Sequence, residues 1–103
     1  MATRDQIVEA VKREYERFRS EKPAYCYNTG YDGKYTTSTE SASMDDFEYA
    51  AKELKTKVDA DYGSRASVRT AKSFSGEGQN QWSILIEAAG KAQPVFNFHM
   101  AIA

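Results

Sequence analysis

A single histidine, His99, and a single cysteine, Cys26, are the residues on which nucleophilic or acid–base chemistry would have to rest in this chain. A Ser-His-Asp or Cys-His arrangement must use His99. That histidine shares one side of the last extended segment with Asn97, the ordinary setting of a half-exposed strand histidine. Cys26 would meet it only if the first and last strands were neighbours, and a lone cysteine is more often a small buried hydrophobe. Structural zinc sites use four Cys or His ligands, so one of each points to no metal. Asp45, Asp46 and Glu48 cluster at a helix start, where carboxylates complement the positive end of the dipole. "SGEG" lacks the Lys-Ser/Thr ending of a phosphate loop, and no GxGxxG occurs. No cofactor is expected, and the balance leans away from an enzyme.

Chemistry of contact remains. "AYCYNTGYDGKYTTSTES" carries Tyr25, Tyr27, Tyr31 and Tyr35 around Asp32-Gly33. Asp-Gly suits a two-residue hairpin turn, because glycine tolerates the positive φ of a type I′ turn; Thr29-Gly30 is a rival turn. Tyrosine beside Gly, Asn, Ser and Thr is the composition of recognition surfaces, offering rigid amphipathic area at low entropic cost. The base of this hairpin is expected in the core and its tip at a contact surface. The candidate partner-binding residues are Tyr27, Tyr31, Asp32, Lys34 and Tyr35. Arg65 and Arg69 are candidate contacts for phosphate or nucleic acid, with tyrosines stacking on bases. A formal charge of −1 and a pI near 5.8 argue against a general nucleic-acid binder.

The elements that must position these groups follow from periodicity. Thr3 and Gln6 have the spacing of a capping box, and Ile7, Val8, Val11, Tyr15 and Phe18 fall on one stripe, predicting a helix over 4–21. Its other side is charged, and Pro23 disfavours continuation. Two extended runs follow, at 25–31 and 34–39. Ser43 as N-cap, the stripe Phe47, Ala51, Leu54, Val58 and Tyr62, and Gly63 as a stop predict a second helix over 44–62. Period-two alternation then marks strands through 65–74, 82–88 and 95–102. Trp82, Ile84 and Ile86 are expected to face the helices.

The order α-ββ-α-βββ predicts one α+β domain over 1–103, with both helices on one face of a roughly five-stranded antiparallel sheet. Seven Tyr, five Phe and one Trp supply the bulk of a core that is poor in aliphatic residues. No apolar run approaches the ~20 residues needed to cross a bilayer, and a lone cysteine suits a reducing compartment, so a cytoplasmic location is expected. Exposed sheet edges would let two copies pair, with the last strand as the suspected edge. In size, solubility and poverty of motifs the chain resembles, in general character, small phage-encoded anti-defence proteins such as anti-CRISPRs. The expected function is that of a small protein-binding module or inhibitor. The alternative is a nucleotide or single-stranded nucleic-acid binder.

Overall fold

A computed structural model describes residues 2–21, 41–73, 80–92 and 94–103. The fold is α+β: helix α1 (Arg4–Glu21), strand β1 (Ser41–Ala42), helix α2 (Met44–Tyr62), a 3-10 turn (Gly63–Arg65), and strands β2 (Ala66–Ser73), β3 (Gln81–Ala88) and β4 (Phe96–Ile102). Among the described residues no helix is long and apolar enough to cross a membrane.

Both helices start where the capping chemistry requires. The Thr3 amide donates to Gln6 Oε1 and the Gln6 amide to Thr3 Oγ1, the reciprocal pair of a capping box. The Asp46 amide donates to Ser43 Oγ. α2 ends at Gly63, whose φ of 60° is a conformation that glycine adopts without steric cost.

The described sheet is four-stranded and mixed, with the order β1-β4-β3-β2. This corrects the all-antiparallel expectation. β2–β3 and β3–β4 are antiparallel, but β1 runs parallel to β4. The cause lies in α2. Nineteen residues of helix carry the chain about 28 Å at 1.5 Å per residue, so the chain enters β1 and β2 from the same end. β1 and β2 lie on opposite sides of the β3–β4 pair. β4, the suspected edge, is an inner strand, held by β3 on one side and by β1 at Ala101 and Ile102 on the other. The expected hairpin of 25–39 lies outside the described residues.

One face of the sheet forms the core. Trp82, Ile84 and Ile86 stand opposite Met100, Phe98 and Phe96 in register. Ile7, Val11, Tyr15 and Phe18 of α1 and Phe47, Ala51, Leu54 and Val58 of α2 pack on this face as one cluster, with Trp82 and Tyr62 half-buried at its margin. Ala2 donates its amide to the Ser41 carbonyl, and Ala103 donates to Ala42. Ala2 and Ala103 therefore hold the short β1 through its carbonyl groups.

The side-chain pairings also fix how the helices run. Arg4 meets Asp46, Lys57 meets Glu16, and Arg19 meets Asp61. Start meets start and end meets end, so α1 and α2 pack parallel.

Candidate functional site

Tyr27, Tyr31, Asp32, Lys34 and Tyr35 lie outside the described residues, as does Cys26. Arg65 and Arg69 are described, and each is aimed at its own partner. Arg69 Nε donates to Glu87 Oε1 at 2.9 Å in an exposed pair on the face away from the helices. Arg65 Nε donates to the Tyr62 carbonyl at 3.3 Å, and its guanidinium lies 5.8 Å from the Tyr62 ring centroid. His99 stands opposite Ser83 in register on the face away from the helices. The flanking register positions are Gln81–Ala101 and Leu85–Asn97, neither of them a carboxylate. Among the described residues no three His, Cys, Asp or Glu side chains are grouped so as to hold a metal ion.

The parallel helix pair builds two clusters between its helices. At the C-terminal ends, Tyr15 is fully buried and donates its hydroxyl to Asp61 Oδ2 at 2.8 Å. Arg19 Nη1 lies 3.5 Å from the same oxygen, and Lys57 Nζ lies 3.1 Å from Glu16. Burial, then the hydrogen bond to Asp61, push the Tyr15 phenol well above the ordinary tyrosine pKa. The charge of Asp61 holds Arg19 above its usual value. This cluster is an interhelical clamp.

At the N-terminal ends the arrangement faces solvent. Arg4 Nε donates to Asp46 Oδ1 at 2.9 Å, and its guanidinium stands 4.5 Å from the Tyr49 ring centroid. Tyr49 is 40% exposed and is the one exposed large hydrophobic among the described residues. Asp46 fixes the guanidinium that in turn sits over the ring, an arrangement that orders both side chains before any partner arrives. Sequence reasoning did not single out Tyr49. The available signal was an aromatic residue two positions after Phe47, off the buried stripe of its helix.

Glu14 is an anomaly. It is 5% exposed, and its Oε2 is buried with no hydrogen-bond partner among the described residues, while Oε1 lies 3.6 Å from Arg17 Nη1. A half-satisfied buried carboxylate is destabilising. Glu14→Gln removes the charge at constant shape, and it is expected to raise stability by about 1 kcal/mol in denaturant melts. A loss of stability would show that the charge is fully compensated in the folded chain.

No family model matches the chain, and no curated protein or solved structure matches it either.

Proposed function

We propose that the protein works by holding another protein rather than by catalysis, as a small inhibitor of the anti-defence type would. The observation that carries this reading is Tyr49, an aromatic ring left in solvent and pre-positioned by an arginine that is itself fixed by Asp46. Tyrosine and arginine are the residue types that most often dominate binding energy at protein interfaces. Side chains ordered beforehand lose little entropy on association. Tyr27, Tyr31, Asp32, Lys34 and Tyr35 are proposed as further partner-binding residues. A cytoplasmic partner is the proposed setting.

The nucleotide reading uses Arg65 and Arg69 for phosphate, and the pairing of Arg69 with Glu87 weighs against one of the two. Affinity capture from a lysate, with nucleotide extraction from the same purified protein, tests the proposal. The expected result is a stoichiometric protein partner and no released nucleotide. A released nucleotide without a protein partner would overturn it.

A further inference from the structure

β2 ends the sheet. Among the described residues it pairs with β3 alone, in unbroken register from Ala66↔Ala88 to Ser73↔Gln81. Alternate residues of such a strand turn their N–H and C=O groups outward, a template for pairing with another chain. Folded proteins blunt that template by shortness, proline, bulges or charge. β2 has eight residues, about 26 Å at 3.3 Å per residue, without proline or bulge. Among the described residues only charge guards it.

The charge has one sign. From Gly63 to Ser75 the chain carries Arg65, Arg69 and Lys72 and no acidic residue. Arg69 is matched by Glu87. Arg65 and Lys72 are exposed and form no ion pair among the described residues. Lys72 belongs to the row of β2 residues on the helix side and Arg69 to the row on the other side, since Thr70 and Lys72 align with Ile84 and Trp82, while Arg69 aligns with Leu85. A strand laid against β2 would thus meet cations on both of its faces.

We propose that the β2 edge takes an extended, acidic segment of a partner protein as an added strand. Main-chain hydrogen bonds would supply the pairing, and carboxylates on both faces of the added strand would answer the unmatched cations. A second copy of this chain is the poorer occupant, because it would set Arg65, Arg69 and Lys72 against the same residues of its neighbour. The proposal rests on the protein-binding reading but uses elements other than the Arg4–Tyr49 cluster, so the two can fail separately.

The test uses the full chain and a blocked octapeptide of Glu and Thr with Glu at both odd and even positions, followed by fluorescence anisotropy and amide hydrogen exchange. The expected result is saturable binding that slows exchange along 66–73. Lys72→Glu, with an unchanged melting temperature, should weaken that binding roughly tenfold, and Tyr49→Ala should leave it unaltered. N-methylation of alternate peptide amides should abolish it. Absence of saturable binding overturns the proposal. So does equal affinity for a Lys-Thr peptide, or binding without protection of 66–73. Concentration-dependent dimerisation that protects 66–73 without peptide would assign the edge to a second copy and overturn it as well.

Discussion

Phe96→Ala is expected to cost about 3–5 kcal/mol. Phe96 is fully buried, stands opposite Ile86 in β3, and meets Phe18 edge-to-face at a centroid separation of 5.6 Å. It therefore joins the sheet to α1, and truncating it removes both contacts and leaves a cavity between them. Total stability of a domain this size is typically about 5–15 kcal/mol, so the variant should be close to unfolding at room temperature. Ile84→Ala, on the same face and opposite Phe98, should cost about 2–5 kcal/mol. Urea melts measure both. Losses below about half a kcal/mol would mean that the core lies on the other face of the sheet.

The second large effect belongs to the interhelical clamp. Asp61→Ala leaves the buried Tyr15 hydroxyl without its acceptor, and it should cost about 1–3 kcal/mol. Tyr15→Phe removes the donor together with its need and should cost less. The double variant should therefore be less damaged than the sum of the two singles, a coupling that a double-mutant cycle reads directly. Additive losses would show that the hydrogen bond contributes nothing. The clamp also sets an alkaline limit. The Tyr15 phenol is raised above its ordinary value, so both states keep the proton below about pH 10. Above that pH the unfolded chain releases it first, and stability falls as pH rises. Tyr15→Phe should flatten that fall. An equally steep fall in the variant would assign the alkaline limit to other groups.

The helices were legible because their ends are chemical. Thr3 with Gln6, Ser43 and Gly63 each satisfy or terminate specific backbone groups, and these marks stand in the sequence. The three long strands were legible from period two: Val68 alternates with Ser67 and Arg69, Ile84 and Ile86 with Ser83, Leu85 and Glu87, and Phe96, Phe98 and Met100 with Asn97, His99 and Ala101. β1 was not, because two residues, Ser41 and Ala42, have no period to read. Its parallel direction follows from α2 as a crossover, which only the register against Ala101 and Ile102 shows. The parallel packing of the helices is equally non-local, since Arg4–Asp46 and Tyr15–Asp61 join residues more than forty positions apart. The pairing of Arg69 with Glu87 depends on the register of β2 against β3. Tyr49 was passed over because periodicity finds what is buried, and this ring matters for being left out.

The account centres on a contact surface that is separable from the scaffold. The most direct measurement is the affinity of Tyr49→Ala and Arg4→Ala for the captured protein partner, with melting temperature recorded on the same samples. Each variant should bind about 1–2 kcal/mol more weakly, as aromatic and arginine anchors do, while melting within a few degrees of the parent chain. Unchanged affinity in both variants would contradict the account. So would a weakening that tracks a matching loss of stability, because the ring would then belong to the scaffold.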